Sequence, residues 1–184
     1  MVNAGAHVGP WTVEDLLELP HSDERYELLG GSLLVVPPPA ARHQITSLRL
    51  ARILEDVGPE DLMIVEAVGV RLPEESMFIP DVLVVERQAA LDNSSGIVEP
   101  AVVRLVVEVV SPGSRTKDRL VKPALYARAG IPCFWRVEVD EGPSVAAHVL
   151  AGGTYREVAS ARPGALLTVD EPFAVSFDPV QLQP

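Results

Sequence analysis

The chain has 184 residues and a formal net charge of −11 at pH 7; 47% of its residues are hydrophobic and 22% are charged. This composition excludes an intrinsically disordered chain, and no apolar stretch is long enough to cross a bilayer as a helix. The one cysteine, Cys133, excludes an internal disulfide and indicates a reducing compartment. Because the N-terminus shows no secretion signal, we expect a cytoplasmic protein without a membrane partner.

The acidic charge argues against a uniformly basic nucleic-acid-binding surface. Five basic residues nevertheless fall together, so a local basic face is compatible with the sequence: Arg115, Lys117, Arg119, Lys122 and Arg128. Part of the acidity could instead belong to a carboxylate cluster that a divalent cation neutralises.

In the N-terminal third, Thr12 is predicted to cap a short helix that extends through Leu19, with Asp15 three residues beyond the cap. A turn over residues 21–24 precedes residues 25–36, which predict two strands joined at a Gly-Gly turn. Apolar residues at helical spacing then predict a helix over residues 41–57.

In the remainder, residues 63–72, 78–86 and 102–110 predict strands, and the last two read as strands buried on both faces. A loop over 92–96, a helix over 116–129, a strand over 133–140 and a hairpin over 145–158 follow. We therefore predict an α/β or α+β fold, with a mixed sheet flanked by helices and a β-rich tail. No repeat or linker divides the chain, so residues 1–184 are expected to form one domain.

Two acids stand where the local pattern requires apolar residues. Asp81 lies in an apolar run after Pro80, and Glu108 lies in the middle of another. A buried carboxylate costs several kcal/mol, roughly, unless a positive charge compensates it, and two on neighbouring strands indicate a shared divalent cation. The competing interpretation is structural: Asp81 caps a strand, and Glu108 pairs with Arg104 or Arg136. Oxygen ligands favour Mg²⁺ or Mn²⁺ over zinc.

Lys122 follows Glu108 by one turn and the opening of a helix, which would return its ammonium group toward the end of the Glu108 strand. There it could orient an attacking water or offset charge on a phosphate. From spacing alone, an Asp118–Lys122 ion pair on a solvated helix face is the favoured alternative. Tyr126 is predicted to be a core or interface residue.

A series of motifs in a fixed order carries a family resemblance. They are Trp11-Thr12-Val13-Glu14-Asp15-Leu16, Arg25-Tyr26-Glu27-Leu28-Leu29-Gly30-Gly31, Pro37-Pro38-Pro39 with His43, Pro80-Asp81-Val82, residues 105–114, Asp118-Arg119, Lys122, Tyr126, Ala129-Gly130-Ile131-Pro132 and Trp135. In this order the chain resembles the Uma-two family of restriction-endonuclease-like proteins, within the PD-(D/E)XK nuclease superfamily.

The resemblance implies a restriction-endonuclease-like core and metal-dependent hydrolysis of phosphodiester bonds. It implies that Asp81, Glu108, Lys122 and Glu27 are catalytic, and that Mg²⁺ or Mn²⁺ is held by Asp81, Glu108 and the Val109 carbonyl. In the wider superfamily the lysine stands two residues after the glutamate, where this chain has Val110; Lys122 is the matching residue in this family. His43 matches a polar family position, but a residue in the first turn of a helix is the preferred interpretation.

The implied partner is DNA, and analogy with related folds adds a homodimer. A separate specificity partner is compatible with the small size and the weak basic face. One departure favours the alternative of an inactive binding or dimerisation module: Pro123 follows Lys122 directly and disfavours helical geometry there.

Overall fold

The computed structural model describes residues 7–20, 24–111, 113–140 and 142–184. Its α-helices are α1 (Val13–Leu17), α2 (Ala41–Val57), α3 (Arg87–Asp92) and α4 (Lys122–Arg128). Its strands are β1 (Arg25–Leu29), β2 (Ser32–Val36), β3 (Leu62–Val65), β4 (Gly69–Leu72), β5 (Ser76–Phe78), β6 (Val82–Glu86), β7 (Ile97–Val98), β8 (Val103–Val110), β9 (Cys133–Glu138), β10 (Ser144–Ala151), β11 (Thr154–Ala161), β12 (Leu167–Val169) and β13 (Val175–Phe177). A π-helical turn, Lys117–Val121, precedes α4 directly.

The central sheet has six strands in the order β11-β10-β9-β8-β6-β3. Only the β8–β9 pair is parallel, and the π-helical turn and α4 form the crossover between these two strands. From Leu105 to Val110, β8 is buried throughout, as predicted for a strand covered on both faces.

Each face of the central sheet has its own hydrophobic core. On one face, Leu50 and Leu54 of α2 pack with Trp135 of β9 and with the C-terminal segment that contains β12 and β13. On the other face, α4 contributes Leu125 and Tyr126, and the second sheet, ordered β2-β1-β5-β4-β7, contributes Phe78. This mixed architecture confirms the predicted fold class.

Several local predictions are confirmed. Thr12 caps α1 with a reciprocal capping box to Asp15, although the helix ends at Leu17 and not at Leu19. The helix α2 has the predicted bounds, and Gly30-Gly31 and Gly152-Gly153 form the turns of their hairpins with positive φ. The turn predicted over 21–24 lies largely outside the described residues.

Two predicted strands are each divided into two. Residues 63–72 form β3 and β4 in different sheets, because the chain turns at Ala67, whose φ is 59°. Residues 78–86 break after Phe78, where β5 ends, and β6 begins at Val82. Pro80 lies in this break and cannot donate to a strand ladder. The break leaves Asp81 at the entrance to β6. An alternating pattern in residues 63–72 and an apolar run in residues 78–86 continue across these breaks, and for that reason the sequence did not reveal them. The helix α3 and the short β7 were also not predicted.

The helix predicted over 116–129 has a different geometry at each end. Its first turn is π-helical, with the Lys122 amide donating to the Lys117 carbonyl, and α-helical geometry begins at Lys122. Pro123 therefore stands in the first turn of α4, where an amide proton is not needed. Lys122 keeps helical dihedrals, φ −60° and ψ −49°, despite the proline that follows.

In the part of the chain that the structure describes, no helix is both long and apolar enough to cross a membrane.

Candidate active site

A pocket of about 250 Å³ lies beyond the carboxyl end of β8. Five ionisable side chains from separate segments define it, and we call it the acidic pocket: Glu27 of β1, Asp81 before β6, Glu108 of β8, Asp118 of the π-helical turn and Lys122 of α4. The structure thus brings together all four side chains predicted as catalytic.

Lys122 lies at the centre of the acidic pocket. Its Nζ is 2.9 Å from Glu108 Oε2, 3.3 Å from Glu27 Oε1 and 3.5 Å from Asp118 Oδ1. Burial opposes the charged form of Lys122, but these carboxylates outweigh it and raise the pKa of the ammonium group. The Asp118–Lys122 pair expected on a solvated face does exist, but both residues are buried, so that interpretation is wrong about the environment.

Glu108 is 2% exposed, and its two carboxylate oxygens have different partners. Oε2 accepts from Lys122, and Oε1 accepts a 2.6 Å hydrogen bond from the Tyr126 hydroxyl. Burial raises the pKa of Glu108 to about 8, against the opposing effect of Lys122. Arg104 pairs with Glu86 and Arg136 with Glu138, so neither of the alternative partners considered for Glu108 takes that role.

Asp81 is fixed from two directions. Its Oδ2 accepts a 2.7 Å hydrogen bond from the Val109 amide, and His43 Nε2 lies 3.2 Å away. The Asp81 amide in turn donates to the Val107 carbonyl, which continues the β6–β8 pairing to the acidic pocket. The predicted adjacency of the Asp81 and Glu108 strands is therefore correct.

His43 stands in the first turn of α2, as expected, but its ring also enters the site. Nε2 is 2.8 Å from the Val109 carbonyl as well as 3.2 Å from Asp81. Because both partners are acceptors, Nε2 must carry a proton. Burial opposes protonation of the second nitrogen, but the hydrogen bond to Asp81 outweighs it and raises the pKa of His43. The preferred structural interpretation of His43 was thus incomplete.

Glu27 lies within β1 and is 2% exposed. Its Oε1 accepts from the Ile79 amide at 3.3 Å and faces Lys122, while Oε2 is 3.2 Å from Lys117 Nζ. A structural pairing near Arg25 had been considered for this residue. The observed partners, Lys117 and Lys122, place Glu27 in the acidic pocket instead.

The acidic pocket holds four carboxyl groups close to two ammonium groups, Lys117 and Lys122, and Arg25 and His43 also line it. Burial raises the pKa of Asp118, although Lys122 and a hydrogen bond from the Ser114 hydroxyl act in the opposite direction. Its Oδ1 is buried without a hydrogen-bond partner among the described residues. A divalent cation would favour the ionised forms of Glu108 and Asp118, the two carboxyl groups whose pKa values burial raises.

The oxygen donors fit a hard cation such as Mg²⁺ or Mn²⁺ in their chemistry. Asp81 and the Val109 carbonyl lie together, and Glu108 follows on the same strand. A closed set of three metal-binding His, Cys, Asp or Glu side chains is not present among the described residues. The carboxyl oxygens that could bind a cation already have partners. Those of Glu108 accept from Lys122 and Tyr126, and Asp81 Oδ2 faces His43.

Sequence reasoning did not assign functions to three residues of this site: Lys117, Asp118 and Tyr126. Lys122 and Tyr126 are four positions apart, so their side chains lie on one helical face. This spacing was the sequence signal that could have assigned Tyr126 to the same site as Lys122. The side chain of Lys117, in the π-helical turn, reaches Glu27 of the second sheet, and no local pattern indicates such a contact.

Comparison with known proteins agrees with this architecture. The Uma2 family model, described as "Putative restriction endonuclease", matches residues 13–182. A solved structure of a protein from Anabaena variabilis, described as a "putative nuclease belonging to DUF820", is similar with a TM-score of 0.73 and 16% sequence identity, covering 94% of this chain and 97% of that chain. No curated protein matches the sequence at a significant level. The match over residues 13–182 shows that the chain belongs to the Uma2 family, the Uma-two family that its motifs resemble.

Proposed function

We propose that the chain is a divalent-metal-dependent endonuclease that hydrolyses phosphodiester bonds of DNA. The observation that carries the proposal is the acidic pocket, where four carboxyl groups and a buried lysine from separate segments converge. Membership in the Uma2 family and the similarity to a nuclease fold support the same reaction class.

In this proposal Asp81, Glu108 and the Val109 carbonyl hold Mg²⁺ or Mn²⁺. The cation would polarise a phosphoryl oxygen and lower the pKa of a bound water. The Val109 amide and His43 hold the Asp81 carboxylate in one orientation. This support matters because a metal ligand must be aligned before the metal arrives.

Lys122 supplies the positive charge that does not depend on the metal. Its raised pKa keeps the ammonium group protonated at neutral pH, and three carboxylates fix its position. From there it orients the attacking water or stabilises negative charge that develops on the phosphate. Glu27 and Asp118 act as positioning residues for Lys122.

The test is a plasmid-nicking assay with Mg²⁺ or Mn²⁺ against EDTA, with RNA as a parallel substrate. Asp81→Asn removes one charge but keeps the shape of the side chain. We expect it to lower the nicking rate by at least roughly 100-fold, the upper range for residues that only orient a metal ligand. Asp61→Asn, on the exposed loop before β3, is the matched control. Nicking by Asp81→Asn at the parental rate would contradict the proposal.

One observation favours a second candidate, a catalytically inactive member that serves as a nucleic-acid-binding or dimerisation module. Lys122 already lies among three carboxylates, where it partly replaces a cation. Thermal unfolding distinguishes the two, because a ligand that binds the native state raises the melting temperature. An active site predicts a Mg²⁺-dependent rise that Asp81→Asn abolishes. Absence of both the rise and nicking selects the inactive module.

The homodimer, the separate specificity partner, the cytoplasmic location and the single domain over residues 1–184 stay predictions. Sedimentation of the purified chain tests the homodimer directly.

A further inference from the structure

A second pocket, of about 590 Å³, lies on the other side of the π-helical turn from the acidic pocket. Three guanidinium groups line it, from Arg119 of the π-helical turn, Arg136 of β9 and Arg162 after β11. Glu138 and Ser144 complete what we call the arginine pocket.

Glu138 holds two of the three arginines in place. Arg119 binds it through two parallel hydrogen bonds of 2.9 Å, and Arg136 Nε lies 3.2 Å from Glu138 Oε1. Guanidinium groups fixed in this way lose less freedom when they bind a further anion. The Glu138 carboxylate is therefore an orienting group that leaves positive charge uncompensated.

The sign of the arginine pocket is opposite to that of the protein. Asp140, the other acid in its lining, pairs with Arg115, which adds a fourth guanidinium at the rim. Three arginines against two acids in the lining leave an excess of one positive charge, in a chain whose formal net charge is −11. Structural ion pairing explains one arginine for each acid. It does not explain the surplus, or its concentration in one hollow.

The arginine pocket and the acidic pocket are neighbours at one end of the sheet. In the parallel β8–β9 ladder, Glu108 is the partner of Arg136 and Val110 is the partner of Glu138. The two pockets are therefore lined from facing positions of adjacent strands, whose backbones lie about 4.8 Å apart. The π-helical turn separates the two pockets: Asp118 enters the acidic pocket, and Arg119 enters the arginine pocket.

We propose that the arginine pocket binds a backbone phosphate of the same nucleic-acid strand whose scissile phosphate enters the acidic pocket. The part of this inference that concerns the scissile phosphate rests on the proposed function. Guanidinium groups suit phosphate because their forked N–H groups match pairs of phosphate oxygens. The phosphate would accept from the N–H groups of Arg119 and Arg136 that Glu138 does not occupy, and Arg162 lines the same pocket.

The test measures equilibrium binding of fluorescent single-stranded and duplex oligonucleotides in EDTA, where metal-dependent cleavage cannot occur. The variants are Arg162→Gln, on an exposed residue, and Arg119→Gln with Arg162→Gln together. Arg104→Gln is the matched control, since Arg104 forms an exposed ion pair with Glu86 at the opposite end of β8. Inorganic phosphate and a nucleoside monophosphate serve as separate probes of a free-phosphate ligand.

We expect the double variant to bind oligonucleotides about 10-fold or more weakly at low salt, with a smaller salt dependence, by about 0.7–0.9 in the logarithmic slope for each lost phosphate contact. Arg162→Gln alone gives a smaller loss in the same direction. Equal affinity and slope for the double variant and Arg104→Gln overturn the proposal, as does the absence of oligonucleotide binding. Arginine-dependent binding of the monophosphate but not of oligonucleotides overturns the backbone assignment.

The outcomes separate this inference from the proposed function. Arginine-dependent binding without metal-dependent nicking upholds the arginine pocket and contradicts the nuclease. Nicking that requires Asp81, together with unchanged binding by the arginine variants, upholds the nuclease and contradicts the arginine pocket.

Discussion

The acidic pocket and the arginine pocket use the same classes of charged residue in opposite environments. The side chains of Lys122 and Glu108 are 7% and 3% exposed, whereas those of Arg119 and Glu138 are 44% and 24% exposed. Buried charges depend on their partners, because an unpaired one cannot be solvated. Exposed pairs contribute little to stability, because water and salt replace the partner. We therefore expect substitutions in the acidic pocket to change both stability and function, and substitutions in the arginine pocket to change function with little effect on stability.

The largest expected effect comes from removing the ammonium group at the centre of the acidic pocket. Lys122→Met keeps much of the side-chain volume but leaves Glu27, Glu108 and Asp118 without their shared cation. Breaking a buried ion pair from one side costs about 3–5 kcal/mol. Urea denaturation should show this loss in the free energy of unfolding.

The control for Lys122→Met is a second variant that also removes a buried acid. Lys122→Met combined with Glu27→Gln should recover part of the lost stability, because one of the carboxylates left without Lys122 is gone. If Lys122→Met unfolds at the parental urea concentration, the buried network does not stabilise the fold as described.

A smaller effect is expected for the hydroxyl that binds Glu108. Tyr126→Phe deletes the donor of the 2.6 Å hydrogen bond to Glu108 Oε1 and leaves that buried acceptor unpaired. An unsatisfied buried acceptor costs about 1–3 kcal/mol. Tyr155→Phe is the matched control, because the hydroxyl of the partly buried Tyr155 donates to the neutral Ile131 carbonyl at 2.8 Å. Equal losses in urea denaturation would show that the Glu108 carboxyl is no stronger an acceptor than a backbone carbonyl.

At Asp118 we expect a substitution to raise the free energy of unfolding and not to lower it. Burial raises the pKa of Asp118 in the folded state above the ordinary value for an aspartate, so the folded chain retains a proton that the unfolded chain releases. The stability contributed by this group is therefore complete at low pH and is lost as the pH rises through the raised pKa. Asp118→Asn removes that dependence.

The corresponding measurement is the free energy of unfolding of both proteins between pH 4 and pH 8, in EDTA. We expect the stability of Asp118→Asn relative to the parent chain to increase with pH. A constant difference across this range would mean that Lys122 fully compensates Asp118.

The smallest effect on stability is expected in the arginine pocket. Arg119→Gln removes the two hydrogen bonds to Glu138 in an exposed setting, so the denaturation midpoint should stay close to that of the parent chain. Oligonucleotide binding by the same variant should fall. A marked drop in the midpoint would show that the Arg119–Glu138 pair is structural, and would remove the contrast between the two pockets.

Much of the fold was accessible from the sequence, because hydrophobic periodicity and turn residues act locally. The helix α2 has its predicted bounds, and both Gly-Gly hairpins form where they were expected. The divided strands were missed because their apolar pattern continues through Ala67 and across Pro80, while the two halves pair in different sheets. Strand pairing between distant segments is a property of the tertiary structure that periodicity does not specify.

For the candidate site, the sequence by itself determined where the unusual acids are; that their strands are neighbours was an expectation, which the β6–β8 pairing confirms. Asp81 and Glu108 stand out because a charge in an apolar strand requires compensation wherever the chain folds. The compensating groups were decided only by the tertiary structure. The π-helical turn before Pro123 directs Lys122 to Glu108, and packing of the second sheet against the first brings Glu27 to the same ammonium group. Local sequence patterns indicate which residues are buried. The partner of a buried charge depends on which distant elements the fold places beside it.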